Sequence, residues 1–123
     1  WSRRLTGLKV YMSLLVAGWE GYEKVIRHQA EIGAKLKALL IQHNWEVVND
    51  TPFPVVCFRG KTPETQSTEY LQALCGRVVK SGEAWISTIA LKPDLFALRA
   101  CITNYATEDH HLQRLVALFE EYR

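Results

Sequence analysis

The apolar positions of residues 1–43 follow a helical period that glycines interrupt once. Over 3–17 the apolar side chains surround nearly the whole helix, so this helix must be covered on more than one face. Over 22–43 they recur three or four positions apart with charged residues between them, which is typical of an amphipathic helix. The intervening sequence GWEG at 18–21 predicts a break or kink. We therefore expect a long kinked helix whose first part is covered either by this domain or by a neighbouring one.

Beyond residue 43 the chain alternates between strand and helix patterns. The clearest strand is VVCFR at 55–59, since it is rich in β-branched and aromatic side chains and Gly60 ends it. The predicted order is a strand at 45–48, a strand at 55–59, a polar loop at 62–66, a helix capped by Ser67 or Thr65 and stopped at Ser81, strands at 84–91 and 95–103, and a last helix capped by Thr107.

Short turns between successive strands indicate antiparallel pairing, with the helices gathered in a second layer. We expect an α+β fold: a small antiparallel sheet of about four strands with helices on one face, preceded by the long kinked helix. A sheet that is covered on one face leaves its other face to water or to a partner.

Length and composition are those of one globular domain. The chain has 123 residues, 48% of them hydrophobic and 23% charged, which suffices for a buried core. The net charge of +2 comes without a basic block, so we expect no nucleic-acid partner. The apolar run near the N-terminus is half of the roughly 20 residues that a membrane span needs, so we expect no membrane insertion. The chain begins with Trp1 and its only methionine is Met12, so we expect it to be part of a longer protein.

Cysteine and histidine do not form a recognisable site. The three cysteines, Cys57, Cys75 and Cys101, fit neither a disulfide framework nor a zinc pattern, which favours a reducing compartment. We expect the strand cysteines to fill space rather than to act as nucleophiles. His110 and His111 are adjacent, and adjacent helical side chains diverge, so the pair is expected on a solvated helix face without a metal.

The other two histidines, His28 and His43, are expected on the outer part of the long helix. No cysteine or aspartate is spaced to join them in a metal site, so the sequence predicts no metal. No phosphate-binding loop, glycine-rich dinucleotide motif or Ser-His-Asp order is present either.

Arg99 stands out because it lies in the middle of an apolar strand, LFALRACI at 95–102. Its planar guanidinium pairs bidentately with a carboxylate or a phosphate. The residue types leave two interpretations open: a solvated or internally paired arginine, and an anion contact on the uncovered face. Strand alternation directs Phe96, Leu98, Ala100 and Ile102 to the helices and places Arg99 on the other face with Leu95, Ala97, Cys101 and Thr103.

Several segments resemble, in the right order, motifs of the group II pyridoxal-phosphate-dependent amino-acid decarboxylases, which include aromatic-L-amino-acid, histidine and glutamate decarboxylases. SRRLTGLKVY at 2–11 is similar to the family's S-R-R-x-x-x-L-K-x-W segment, with Tyr11 where the family has tryptophan. GWEGY at 18–22 resembles its G-x-x-G-y bend, and VVCFR resembles its V-C-F-R strand. LRACITN at 98–104, followed by Thr107 and acidic residues, resembles its closing motif.

The resemblance implies that the chain is the C-terminal small domain of a decarboxylase that converts an L-amino acid to an amine and carbon dioxide. Residues 1–43 would be the interdomain helix and first helices of that domain, and 44–123 its α+β remainder. The family's cofactor lysine follows a histidine, and no lysine of this chain does. The catalytic large domain would therefore be absent, this piece would be inactive alone, and it would contain no catalytic, cofactor-binding or metal residue.

The resemblance also gives Arg99 a role. It matches the arginine that contacts the substrate's carboxylate in glutamate decarboxylases, whereas Lys9 matches a helix lysine of the family that does not bind the cofactor. The parent enzyme is expected to be a cytoplasmic homodimer in which the uncovered sheet face closes on the active site. The alternative from a different class is an autonomous small-molecule-binding or regulatory α+β module. An RNA-binding sheet is disfavoured, since the open face of the last strand lacks stacked aromatic side chains.

Overall fold

The structure is a computed structural model that describes residues 5–123. The α+β class and the predicted order of elements are confirmed, with one additional turn of 3₁₀ helix in the polar loop. The elements are α1 (Thr6–Gln42), β1 (Glu46–Val47), β2 (Val55–Arg59), the 3₁₀ turn (Glu64–Gln66), α2 (Thr68–Lys80), β3 (Ser87–Lys92), β4 (Leu95–Cys101) and α3 (Asp109–Tyr122).

The four strands form one sheet in the order β1-β2-β4-β3, and every neighbouring pair is antiparallel. β4 is therefore a central strand between β2 and the edge strand β3. In this register Cys57 of β2 and Ser87 of β3 both lie opposite Arg99 of β4. The register places three side chains from three strands in one row across the sheet.

The core lies between one sheet face and the three helices. Val56, Leu98 and Ala100 from the sheet belong to the same buried cluster as Leu36 of α1 and Leu74 of α2. This agrees with the predicted alternation along β4, since alternate residues of a strand face the same side. The largest buried side chains in this cluster are three aromatic residues in mutual contact, Trp45, Phe58 and Phe119.

Helix α1 is kinked at Gly18, whose backbone has φ 66° and ψ 177°. This combination lies in a region that is essentially restricted to glycine, so the kink follows from the sequence. The predicted apolar stripe beyond the kink was wrong in part, because Val25 and Ile26 are exposed. Burial in α1 begins at Ile32, where the helix reaches the sheet.

The part of α1 before the kink lies outside the core of the described residues. Its apolar side chains are mostly solvent-exposed, as shown by Val16 at 90% exposure, and Trp19 directly after the kink is 80% exposed. The sequence allowed this part of the helix to be covered either by this domain or by a neighbouring one. The structure excludes the first possibility, because this domain leaves these side chains exposed. The other large exposed apolar side chains in this part are Leu8, Val10, Tyr11, Met12 and Leu15, and Leu5 directly before the helix is exposed as well.

Some element ends differ from the prediction for local reasons. Glu108, not Thr107, is the N-cap of α3, because Glu108 and His111 form a reciprocal capping box. Ser67 caps α2 as one of the two predicted alternatives, and its hydroxyl accepts a hydrogen bond from the Tyr70 amide. Strand β4 ends at Cys101, and the next amide, that of Ile102, donates to the Pro54 carbonyl instead.

Candidate functional site

Arg99 lies on the sheet face that the described helices leave uncovered. Its neighbours along β4, Leu98 and Ala100, belong to the helix-facing core, so the arginine side chain projects to the opposite side. Ala97 and Cys57 share the side of Arg99, are buried, and do not belong to the core cluster. The predicted orientation of the arginine is therefore confirmed, and small side chains surround it.

The guanidinium of Arg99 is half-buried and held by a neutral partner. Its Nε donates a hydrogen bond of 3.1 Å to the Ser87 hydroxyl across the strand pair. Within residues 5–123, no carboxylate lies within ion-pair distance of Arg99. Arg59, the other arginine on this face, instead donates to Glu46 at 2.8 Å. Arg99 thus keeps an uncompensated positive charge, and its two terminal nitrogens remain available to an anion.

Cys57, which lies opposite Arg99, and Cys75 of α2 are poor nucleophiles. Burial raises the pKa of the Cys57 thiol; the nearby Arg99 charge lowers it and Cys101 raises it further, so the net direction is upward. Burial also raises the pKa of Cys75, which lies on the other side of the sheet and donates to the Ile86 carbonyl. Both thiols are therefore protonated at neutral pH.

We expect iodoacetamide to alkylate the exposed Cys101 of the native chain first, and Cys57 and Cys75 much more slowly. Because folding raises the pKa of the two slow thiols, their contribution to stability is fully present at neutral pH. It is lost as the pH rises through their raised pKa values. Mass spectrometry of the labelled native chain measures the order in which the three cysteines are alkylated. In a urea-unfolded control, all three thiols should react alike. Equal labelling of Cys57 and Cys101 in the native chain would contradict this assignment.

The histidines have structural contacts. The ring of His28 donates from Nε2 to the Thr107 carbonyl at 2.9 Å, so the predicted outer position of His28 was wrong. Nδ1 of His111 accepts from the Glu108 amide, while His110 is exposed as expected. In the part of the chain that the structure describes, no three His, Cys, Asp or Glu side chains form a possible metal site.

No helix among residues 5–123 is long and apolar enough to cross a bilayer. Ser2, Arg3 and Arg4, the first residues of the segment that resembles the decarboxylases, lie outside the described residues.

Comparison with known proteins identifies the family. The family model described as the pyridoxal-dependent decarboxylase conserved domain matches residues 1–61. The aromatic-L-amino-acid decarboxylase of Bacillus atrophaeus is 30% identical over 129 residues, covering 98% of this chain and 27% of that protein. The chain belongs to the pyridoxal-dependent decarboxylase family. The family inferred from the sequence motifs is thereby confirmed.

Solved structures agree with this decarboxylase assignment. The crystal structure of Rhodiola rosea 4-hydroxyphenylacetaldehyde synthase matches with a TM-score of 0.81 at 27% identity, covering 98% of this chain and 27% of that one. The crystal structure of Oryza sativa TDC with PLP and tryptamine matches with a TM-score of 0.79 at 25% identity, with the same coverage. The chain spans about a quarter of the length of the curated relatives that it matches.

The residues around Arg99 do not fit pyridoxal phosphate by themselves. The cofactor requires an amine for its aldehyde and several donors for its phosphate. Among the described residues, the Ser87 hydroxyl is the only hydrogen-bond partner of the Arg99 side chain, and no lysine amine lies in hydrogen-bond contact with either side chain. The surroundings of Arg99 therefore supply neither the amine nor the set of phosphate donors that this cofactor requires.

Proposed function

We propose that these 123 residues form the C-terminal small domain of a pyridoxal-phosphate-dependent L-amino-acid decarboxylase. The domain closes the active site and helps to position the substrate, while the large domain supplies the cofactor and its lysine. One observation carries this proposal: Arg99 projects from the uncovered sheet face without a carboxylate partner among the described residues.

The role proposed for Arg99 is to hold a substrate carboxylate. A half-buried guanidinium with free terminal nitrogens binds a carboxylate through two parallel hydrogen bonds, which fix both the position and the orientation of the anion. The surrounding alanine and cysteines leave room for the ligand and offer no competing anion, since the Cys57 thiol stays protonated. Such a contact orients the substrate without taking part in bond breaking.

The exposed part of α1 is proposed to pack against the large domain. Val16 and Trp19 are almost fully exposed, and a groove of about 690 Å³ between α1 and Tyr105 is lined mainly by apolar side chains. Apolar patches of this kind mark interaction surfaces. The relatives are about four times as long as this chain, so they contain enough additional sequence to cover it.

We extend the proposal to a cytoplasmic homodimer that acts on an L-amino acid. Free cysteines without a disulfide among residues 5–123 support a reducing compartment. Relatives named as aromatic-L-amino-acid and tyrosine decarboxylases support an amino-acid substrate, and one similar structure was solved with tryptamine. The dimer rests on the family resemblance alone.

The test is to express the full-length protein, meaning these residues with the preceding sequence of their gene. We expect it to copurify with pyridoxal phosphate and to release carbon dioxide and one amine from a panel of L-amino acids. The 123-residue chain alone, given the cofactor, is the matched control and should do neither. Turnover by that chain would refute the proposal that the large domain supplies the cofactor and its lysine. A full-length protein without cofactor or turnover would instead favour an autonomous binding or regulatory module.

A further inference from the structure

We propose that Ser87 is a positioning residue that aims Arg99 at the substrate carboxylate without neutralising its charge. This inference rests on the proposed function and assigns a role in the same site to a second residue. Ser87 lies directly opposite Arg99 on the edge strand β3, and its hydroxyl accepts the Arg99 Nε hydrogen bond of 3.1 Å.

The nitrogen that Ser87 engages decides what the guanidinium can still do. A guanidinium has one N–H at Nε and four at its two terminal nitrogens, and a carboxylate binds bidentately across two of these nitrogens. Since Ser87 holds Nε, the terminal pair is left as the free edge for a carboxylate. The residue opposite Arg99 on the other flanking strand, Cys57, is buried, protonated and a weak acceptor. The Ser87 hydroxyl is thus the polar side-chain contact that fixes the orientation of the Arg99 guanidinium.

The neutrality of this partner is as important as its position. On the same sheet face, Arg59 is held by the carboxylate of Glu46 at 2.8 Å, which cancels its charge. A hydroxyl also restrains the direction of a guanidinium through one hydrogen bond, but it leaves the full positive charge for a ligand. Side-chain orientation also carries an entropic cost for an unrestrained arginine, so a fixed fork binds its ligand more tightly.

The experiment compares hydroxyl deletions on two adjacent positions of β3 in the full-length holoenzyme. Ser87→Ala removes the acceptor, whereas Thr88→Val removes a neighbouring hydroxyl on the opposite, helix-facing side. We expect Ser87→Ala to raise KM for the amino acid about fivefold to tenfold with little change in kcat, because only binding and orientation are lost. Thr88→Val should leave both constants unchanged, and Ser87→Thr should restore KM.

A binding measurement without turnover separates this role from a merely structural one. By calorimetry, the substrate analogue that lacks only the α-amine should bind Ser87→Ala about fivefold to tenfold more weakly, since its carboxylate is the group that Arg99 holds. The product amine, which has lost the α-carboxylate, should bind equally to both proteins. Ser87→Asp should weaken carboxylate binding further, because it would neutralise Arg99 as Glu46 neutralises Arg59.

A double-mutant cycle with Arg99→Met completes the test. If Ser87 acts through Arg99, Ser87→Ala has no further effect on KM once Arg99 is methionine. Equal effects of Ser87→Ala in both backgrounds, or loss of amine and carboxylate binding together, would overturn the inference. If Arg99→Met itself leaves carboxylate binding intact, the proposed function of Arg99 fails; if only Ser87→Ala is silent, the inference about Ser87 fails alone.

Discussion

Replacing Arg99 with methionine in the full-length protein should lower kcat/KM for the amino-acid substrate about 100-fold, equivalent to ~2.7 kcal/mol. The variant removes a charge-assisted bidentate contact while keeping a flexible side chain of similar length. Stability should change little, since the variant loses only one side-chain hydrogen bond, the one from Arg99 to the neutral Ser87 hydroxyl. Steady-state kinetics and thermal unfolding of the same preparation measure the two effects.

The controls for Arg99 separate charge, geometry and folding. Arg99→Lys keeps the charge but loses the planar fork, so it should recover only part of the activity. Arg77→Met removes an exposed arginine from α2, in the helical layer, and should leave kcat/KM unchanged. Wild-type kinetics for Arg99→Met combined with a large fall in melting temperature would make Arg99 a structural residue instead.

The largest expected loss of stability comes from Phe58→Ala. Phe58 is fully buried, with its ring centroid 5.5 Å from that of Trp45 and 5.1 Å from that of Phe119. Removing the ring leaves a cavity between the sheet and the helices, so the free energy of unfolding should fall by about 3–5 kcal/mol. Urea unfolding of the 123-residue chain, followed by circular dichroism, measures the change.

Phe53→Ala is the matched control, because it removes the same type of side chain from the loop before β2, where Phe53 is 70% exposed. Its effect should stay within about 0.5 kcal/mol. If both alanine variants shifted the urea midpoint equally, the two phenylalanines could not differ in burial as the structure describes.

Much of the fold could be predicted because its signals are local. VVCFR has the composition of a strand, and β2 begins and ends as expected. The side of the sheet on which Arg99 lies follows from alternation along a single strand, so no long-range contact had to be known. The kink at Gly18 follows from a backbone conformation that is essentially restricted to glycine.

The contacts that complete the site depend on register and could not be read from one strand. Ser87 meets Arg99 only because β3 pairs with β4 at that position, and a slip of one residue would direct the serine to the helices. His28 reaches Thr107 across 79 positions of sequence, a contact that helical periodicity does not encode. The capping box of Glu108 and His111 uses a histidine in place of the usual Glu or Gln, so the usual signal for it is absent.

We propose that the uncovered sheet face presents Arg99 to a carboxylate in an active site completed by other sequence. A crystal structure of the full-length holoenzyme with a non-reactive carboxylate analogue of its substrate tests this most directly. We predict that both terminal nitrogens of Arg99 lie about 2.8–3.0 Å from the carboxylate oxygens of the ligand, with Nε still bonded to Ser87. A ligand carboxylate held elsewhere, with Arg99 facing bulk solvent or paired to an acidic residue of the large domain, would refute this role for Arg99.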